Sequence, residues 1–292
     1  MSEKNYWFIG DIHGELALLD RLLDSILRYE PAEIIFLGDY IDRGPQSREV
    51  IDLIRSLRLK TTCLMGNHEL MLLQAVEDSP WGQVAMELWY RNGGEATLLS
   101  FGFPGFFGFQ SELQDPYLSF FRELKMTYQL PLHDHLSLLA VHAGLSSGIP
   151  LKDQLAIENY RELQEYMSKA QLDPGSSFLW VREDFFRAEP ESWSPFLVLH
   201  GHTPVPKLVR YVEAGRQKDF HFVEQDLCFR RSGDDRSWAS VCIDSGSVYS
   251  GRLSGLGFFH DPEQRNKKTI RIRSLTVSRE DTFPREYPPL AY

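Results

Sequence analysis

The sequence predicts an α/β fold built on a mainly parallel sheet that helices cover on both faces. Over the first seventy residues, short apolar runs ("YWFIG", "EIIFLG" and "TTCLMG") alternate with segments that repeat apolar residues at helical spacing. The runs are apolar throughout rather than at alternate positions, which is typical of parallel strands buried on both faces. Helices that join such strands pack back onto the sheet and cover it.

The elements follow in the order βαβαβ. The first helical segment places its apolar residues on one face: Leu16, Leu19, Leu23, Ile26 and Leu27. The second does the same: Val50, Ile51, Ile54 and Leu57. Further strand candidates are "LSLLAV", "FLVLH", "FHFVEQ", "ASVCID", "LGFFH" and "TIRIRSL". Their shorter spacing predicts antiparallel hairpins in the second half of the chain.

We expect one domain over residues 1–280, with helical insertions at about 78–135 and 146–195 and a loosely held tail at 281–292. The insertions are rich in helix formers, aromatics, glycine and proline, and they interrupt the strand rhythm. We interpret their aromatic residues as ordinary packing residues: Trp81, Trp89, Phe106 and Phe107.

Charge and composition exclude several classes of protein. The formal net charge of −10 comes from scattered acidic residues, which argues against binding to a nucleic-acid backbone. Cys63, Cys228 and Cys242 are too few and too scattered for a disulfide framework or a thiolate zinc site. No signal-peptide pattern precedes the first strand, and no apolar run approaches the ~18 to 20 residues that span a bilayer. We therefore expect a cytoplasmic protein with no membrane contact; the sequence does not indicate its oligomeric state.

Four strand endings share one local spelling, in which two residues of the strand are followed by a glycine and a polar residue. These endings are "FIGD" at 8–11, "FLGD" at 36–39, "LMGN" at 64–67 and "LHGH" at 199–202. In an α/β sheet, sites form outside the carboxyl ends of the strands, so the polar residues should converge on one crevice. The alignment places His202 in register with Asp11, Asp39 and Asn67. His200 falls in register with strand residues and is expected in an apolar environment.

The strand ends supply a set of oxygen and nitrogen ligands without thiolates: Asp11, His13, Asp39, Asn67, His142 and His202. Such a set suits divalent manganese, iron or zinc in an open site better than a structural zinc. Six donors exceed what one catalytic ion takes from a protein, so the pattern predicts two metal ions, with manganese as the first choice.

As an ordered series, "GDIHG", "GDYIDRG", "GNHE", "HAG" and "GHTP" resemble the motifs of the phosphoprotein phosphatase family of binuclear metallophosphoesterases, in its bacterial serine/threonine phosphatase-like branch. The resemblance implies a calcineurin-like β-sandwich of two mixed sheets flanked by helices, with the helical insertions over the active site. It also implies metal-dependent hydrolysis of phosphoesters by in-line attack of a hydroxide held between two metals.

The resemblance implies a role for each ligand. Asp11 and His13 would bind the first metal, Asp39 would bridge both, and the second metal would take three more residues: Asn67, His142 and His202. Where many relatives have a further histidine after "GH", this sequence has Pro204. The first metal is therefore expected to take only three protein ligands.

The remaining site residues would act on the substrate. His68 would protonate the leaving group, with Asp42 holding its other ring nitrogen, and Arg43 would grip the phosphoryl oxygens. Arg182 is expected as a second phosphate ligand, unless it only pairs with a neighbouring acid on the surface. Two further candidates for site residues have weaker support. Asn92 could line the cleft or merely form a turn. Asp244 could support the site or cap the next glycine.

The sequence leaves three alternatives for the substrate and activity. The leading hypothesis is a serine/threonine protein phosphatase-like phosphomonoesterase, because the spellings around Asp42 and Glu69 read as in that branch. The second is a symmetrical bis(5'-nucleosyl)-tetraphosphate hydrolase, in which aromatic residues of the insertions would stack a base. A non-catalytic phosphate-binding module is the third, although such decay usually removes a ligand or the general acid.

Overall fold

Two six-stranded sheets form the framework of the molecule. The structure is a computed structural model that describes residues 4–77, 82–106, 108–109, 113, 116–133, 135–213, 215–232, 238–260 and 270–291. Its strands are β1 Lys4–Ile9, β2 Glu33–Phe36, β3 Thr61–Cys63, β4 Tyr128–His133, β5 Leu136–Ala140, β6 Phe196–His200, β7 Phe220–Val223, β8 Leu227–Arg231, β9 Trp238–Cys242, β10 Arg252–His260, β11 Arg271–Ser278 and β12 Arg285–Ala291. The first sheet has the order β12-β11-β10-β1-β2-β3, and the second has the order β4-β5-β6-β9-β8-β7.

Helices of very different lengths connect the strands. They are α1 Leu16–Leu27, α2 Ser47–Ser56, α3 Asn67–Val76, α4 Gly82–Trp89, α5 Glu95–Ser100, α6 Tyr117–Arg122, α7 Leu151–Ala156, α8 Tyr160–Lys169, α9 Glu183–Arg187, α10 Val205–Leu208 and α11 Ser247–Ser250. A π-helical turn at Tyr90–Gly94 joins α4 to α5, and 3₁₀ turns lie at Pro174–Ser176, Pro190–Trp193, Val209–Tyr211 and Gln217–Asp219. Among the described residues, no helix is both long enough and apolar enough to cross a membrane.

The two-sided burial of the strands explains their continuous apolar runs. In β1, Trp7 and Ile9 lie in the core that includes α1 and α2, whereas Phe8 lies in a second core shared by the two sheets. Successive side chains of a strand point to opposite faces, so a strand buried on both faces needs apolar residues at consecutive positions. A third core lies between the second sheet and α9 and includes Phe185 and Val198.

The predicted single covered sheet is corrected to two facing mixed sheets, as the family resemblance implied. Strands β1, β2 and β3 are parallel, as the βαβαβ pattern predicted. The predicted antiparallel pairing in the second half is right for β7-β8-β9 and β10-β11-β12. It is wrong for β5, β6 and β9, which pair in parallel because long connections bring them side by side.

Three other sequence predictions need correction. Residues 128–133 were assigned to a helical insertion but form β4, which pairs antiparallel with β5. Residues 281–292 were expected to be a loosely held tail, yet Arg285–Ala291 forms β12 at the edge of the first sheet. On α1, Leu27 is 39% exposed instead of buried. The packing interpretation of Trp81 and Phe107 falls outside the described residues.

Candidate active site

The polar residues at the strand ends meet at the seam between the two sheets. Those that follow β1, β2 and β3 come from the first sheet: Asp11, His13, Asp39 and Asn67. Those that follow β5, β6 and β9 come from the second sheet: His142, His202 and Asp244. Two overlapping groups have their ligand atoms within 4.8 Å of one another: His13, Asp39 and His68, and Asp39, His142 and His202. Asp39 belongs to both groups, the position that a bridging carboxylate would need.

Several of these residues have a left-handed backbone, although none is glycine. Their φ angles are 49° at His13, 54° at Asp39, 71° at Asp42, 69° at Arg43 and 63° at His202. Such a conformation costs of order 1–3 kcal/mol per residue and persists only where the surrounding structure enforces it. The strain is thus concentrated in the loops that present the candidate ligands.

Glu69 holds the loop after β2 in this conformation. Its carboxylate accepts hydrogen bonds from the backbone N–H groups of Asp39 (2.9 Å), Tyr40 (2.8 Å), Ile41 (3.3 Å) and Gly66 (3.0 Å). Burial and the nearby charge of Asp39 raise the pKa of Glu69 to about 8. Sequence reasoning used this residue only to distinguish family branches and missed its role in shaping the loop.

Each of the three candidate histidine ligands has one ring nitrogen bonded to a backbone carbonyl. Nδ1 of His142 lies 2.8 Å from the Leu37 carbonyl, Nδ1 of His13 lies 2.8 Å from that of Ile41, and Nε2 of His202 lies 3.2 Å from that of Trp180. A carbonyl only accepts, so these nitrogens carry the proton and the other ring nitrogen keeps a lone pair. Burial lowers the pKa of all three rings, which favours their neutral, ligating form.

Acceptor atoms face one another across the centre. With the proton of His142 on Nδ1, its Nε2 is an acceptor, yet it lies 3.0 Å from Oδ1 of Asn67 and 3.4 Å from Oδ1 of Asp39. Nε2 of His13 likewise lies 3.5 Å from Oδ2 of Asp39. Such contacts are repulsive unless a cation lies between them. The donor set therefore fits divalent metal ions.

The buried carboxylates also fit a bound cation. Burial, followed by the charges of Asp244 and Asp39, raises the pKa of Asp11 well above its ordinary value. Burial would also raise the pKa of Asp39, but the nearby imidazoles, led by His142, lower it below its ordinary value. A buried group of carboxylates with this mutual repulsion is stabilised by a bound cation.

His68 and Asp42 form a fully buried pair. Nδ1 of His68 lies 2.6 Å from Oδ2 of Asp42, and both side chains are 0% exposed. Asp42 also accepts hydrogen bonds from Nε1 of Trp89 at 2.9 Å and from Oγ1 of Thr97 at 2.6 Å. Nε2 of His68 faces the centre, 4.0 Å from Oδ2 of Asp39. The pair thus presents one ring nitrogen to the site and fixes the other.

Trp89 and Thr97 were not predicted as site residues. Trp89 was interpreted as a packing residue, and it does stack on Phe109, but its indole N–H is directed at Asp42. Both residues lie in an insertion whose fold brings them back to the loop after β2. The sequence carries no local signal for such a long-range hydrogen bond.

Arg43 points its guanidinium into the centre. Nη1 lies 2.6 Å from Nε2 of His13, and Nη2 lies 2.7 Å from Nε2 of His68. Its backbone N–H donates to the Gly93 carbonyl at 3.1 Å. The planar fork is therefore presented to the space where a phosphoryl group would sit.

Arg182 lies near the centre. The positive charge of Arg182 lowers the pKa of His142 and His202, so it is within electrostatic reach of both. Its acidic neighbours have other partners, because Glu183 pairs with Arg187 and Asp184 accepts from Ser147.

Asn92 donates from Nδ2 to the Leu88 carbonyl at 2.8 Å. The next residue, Gly93, is the one that contacts Arg43.

Asp244 caps a following glycine and also lies within electrostatic reach of Asp11. Its Oδ1 accepts from the Gly246 N–H at 2.8 Å, and its charge is close enough to raise the pKa of Asp11. Burial, opposed by the Gly246 hydrogen bond and reinforced by the charge of Asp39, raises the pKa of Asp244 to about 6.

His200 lies in β6 between the aromatic rings of α9. Its ring centroid is 5.0 Å from that of Phe185 and 5.6 Å from that of Phe186. The strand-end register therefore separates two histidines that are only one glycine apart.

Comparisons with known proteins found a matching family model and several similar proteins. A family model described as calcineurin-like phosphoesterase matches residues 4–236. Serine/threonine-protein phosphatase 2 of Escherichia coli is 34% identical over 93 residues, which are 32% of this chain and 39% of that protein. A symmetrical bis(5'-nucleosyl)-tetraphosphatase of Xanthomonas axonopodis is 28% identical over 193 residues, 65% of this chain and 52% of that protein.

The chain thus spans between two fifths and about half the length of these curated relatives. Among solved structures, a mutant of a cold-active protein tyrosine phosphatase aligns with a TM-score of 0.50 and 16% identity. The alignment covers 94% of this chain and 78% of that one, and it shows a shared fold.

Proposed function

Because the chain belongs to the calcineurin-like phosphoesterase family, we propose that it hydrolyses phosphoesters at the centre between its two sheets. Two divalent metal ions, with manganese preferred over iron or zinc, would be held there. The first would take Asp11, His13 and Asp39. The second would share Asp39 and take Asn67, His142 and His202. When bound, such ions lower the pKa of water to give a nucleophile near neutral pH and offset the phosphoryl charge.

Arg43 and Arg182 bind the phosphoryl group in this proposal. The guanidinium of Arg43 already faces the centre, and its fork matches two oxygens of a phosphate. Phosphoryl oxygens would take the place of the histidine nitrogens as acceptors, which frees Nε2 of His68. Arg182 adds a second positive charge from the start of α9. Together they orient the phosphorus for in-line attack.

His68 protonates the leaving oxygen through Nε2. Asp42 holds Nδ1 of the ring, so Nε2 is the nitrogen directed at the leaving oxygen. Trp89 and Thr97 fix the carboxylate of Asp42 and so fix the direction of the ring.

The buried His68–Asp42 pair favours a phosphomonoester of serine or threonine as the substrate. A departing serine or threonine alkoxide is strongly basic and needs a proton in the transition state. The leaving group of a dinucleoside tetraphosphate is a weakly basic phosphate, for which a positioned acid matters less. We therefore place serine/threonine protein phosphatase-like activity first. The similarity to a symmetrical tetraphosphatase over 65% of the chain keeps that activity as the second candidate.

Phosphate release from a panel of substrates tests the proposal. The purified protein with Mn²⁺ is given phosphoserine and phosphothreonine peptides, an aryl phosphate and diadenosine tetraphosphate, each with and without EDTA. We expect metal-dependent turnover of the peptides. A strong preference for the dinucleotide would transfer the assignment to the second candidate. Absence of turnover with every substrate would favour a non-catalytic phosphate-binding module.

A further inference from the structure

Two single-turn helices form a rim beside the phosphoryl site. The helix α10 follows His202 closely, and α11 follows Asp244 closely. The backbone N–H of Val205 in α10 donates to the Asp244 carbonyl at 2.8 Å, and Oγ of Ser247 in α11 donates to the Ile12 carbonyl at 3.0 Å. The rim is therefore fixed to the same strand ends that carry the candidate ligands.

Each helix of this rim presents one side chain toward the other. Nζ of Lys207 lies 3.9 Å from the centroid of the Tyr249 ring. The guanidinium carbon of Arg43 lies 5.9 Å from the same centroid. The Tyr249 side chain is 61% exposed, so solutes reach it freely. Arg43 and Lys207 thus both contact the exposed ring of Tyr249.

Lys207 lies against an aromatic ring, whereas Lys60 and Lys169 lie against carboxylates. Lys60 pairs with Glu33, and Lys169 pairs with Glu165. Within the described ranges, no carboxylate pairs with Lys207. Cation–π attraction to the Tyr249 ring holds the ammonium in place without neutralising it. In a protein of net charge −10, a positive charge kept this way beside an anion clamp is well placed to attract a second anion.

We propose that Lys207 is a specificity-determining residue that binds a second anionic group of the substrate, a carboxylate close to the phosphoserine or phosphothreonine. This inference rests on the proposed phosphatase function. Arg43 and Lys207 both contact the Tyr249 ring, so an anion bound by Lys207 would lie close to the phosphoryl group that Arg43 binds. In a phosphopeptide substrate, the anionic group available beside the phosphorylated residue is the side chain of a neighbouring aspartate or glutamate. Charge complementarity of this kind selects among substrates.

The test compares two phosphoserine peptides that differ only in carrying aspartate or asparagine beside the phosphoserine. The ratio of their kcat/KM values is measured with Mn²⁺ for the wild type and for Lys207→Gln, Lys207→Arg and Arg210→Gln. The last variant removes an equal charge from the next exposed turn of the chain. We expect the wild type to favour the aspartate peptide about two- to fivefold, the size of one exposed ion pair, chiefly through KM.

Lys207→Gln should bring this ratio close to one, whereas Lys207→Arg and Arg210→Gln should preserve it. Added salt should weaken the wild-type preference. Hydrolysis of both peptides with a ratio that Lys207→Gln does not alter overturns the inference and leaves the proposed hydrolysis standing. If Lys207→Gln slows hydrolysis of diadenosine tetraphosphate but leaves the peptide ratio unchanged, the assignment to a carboxylate is overturned. Release of phosphate from an aryl phosphate but from neither peptide overturns both the inference and the protein phosphatase assignment.

Discussion

At the scale of the residue, the chemistry depends on which atom of a side chain is left available. His68 is the clearest case, because one ring nitrogen contacts Asp42 and the other faces the centre. It also falls within one of the two potential ligand groups, together with His13 and Asp39. Its two possible roles, acid and ligand, differ in what its removal does to metal binding.

Replacing His68 by asparagine separates these roles. We expect His68→Asn to lower turnover of a phosphoserine peptide by roughly 10² to 10⁴, the usual contribution of general acid catalysis. The loss should be smaller with an aryl phosphate, whose leaving group needs less protonation. Metal content, measured on the same samples, should equal that of the wild type. Loss of metal together with activity would identify His68 as a ligand instead.

Trp89 offers a second test at this scale, because its side chain reaches Asp42 through the indole N–H. Trp89→Phe keeps an aromatic ring but removes the donor. We expect kcat for the phosphoserine peptide to fall by roughly ten- to a hundredfold, since a hydrogen bond to a charged group is worth about 1.5–3 kcal/mol. Trp193→Phe is the matched control, because Nε1 of Trp193 is buried without a hydrogen-bond partner among the described residues. Equal losses in the two variants would show that ring size matters and the hydrogen bond does not.

At the scale of the element, the π-helical turn Tyr90–Gly94 connects an insertion to Arg43. Gly93 in this turn has a φ of 108°, and its carbonyl accepts from the Arg43 N–H at 3.1 Å. A Cβ at Gly93 would lie 2.7 Å from Cγ of Arg43. Position 93 thus requires glycine for two reasons: its backbone conformation and the close approach of Arg43.

The matched pair Gly93→Ala and Gly102→Ala separates these two requirements. Gly102 has a φ of 85°, but a Cβ there would meet no described atom within 4 Å. Both variants should lose roughly 1–2 kcal/mol of unfolding free energy, because a left-handed backbone disfavours alanine. Only Gly93→Ala should displace Arg43 and raise KM for the phosphoserine peptide, by roughly tenfold. Unchanged kinetics in Gly93→Ala would mean that this turn does not position Arg43.

At the scale of the whole molecule, the centre joins the two sheets. Asp11 from the first sheet accepts hydrogen bonds from the backbone N–H of His202 in the second, at 3.0 and 3.1 Å. The candidate ligands are divided between the sheets, so metal binding would add a link across the seam. Ions that bind only the folded state stabilise it by mass action.

Metal removal should therefore lower thermal stability. At a free metal concentration 100 times the Kd, binding adds about 2.7 kcal/mol, so EDTA should lower Tm by roughly 5 to 10 °C. In His202→Ala this difference should shrink, because a ligand is missing. His200→Leu should keep it, since His200 packs against Phe185 and Phe186. A metal-dependent Tm that is lost in His200→Leu and kept in His202→Ala would refute the strand-end register.

The sequence alone determined the parts that local chemistry specifies. Apolar periodicity gave the βαβαβ order, and the repeated strand-end spelling picked out Asp11, Asp39, Asn67 and His202, because a glycine turn after a buried strand is a local feature. The tertiary structure decided what depends on distant packing. It split the strands into two sheets, added β4 and β12 as edge strands, brought Trp89 and Thr97 to Asp42, and placed Lys207 against Tyr249. Edge pairing, long-range hydrogen bonds and cation–π contacts join residues far apart in the chain, so no local pattern reports them.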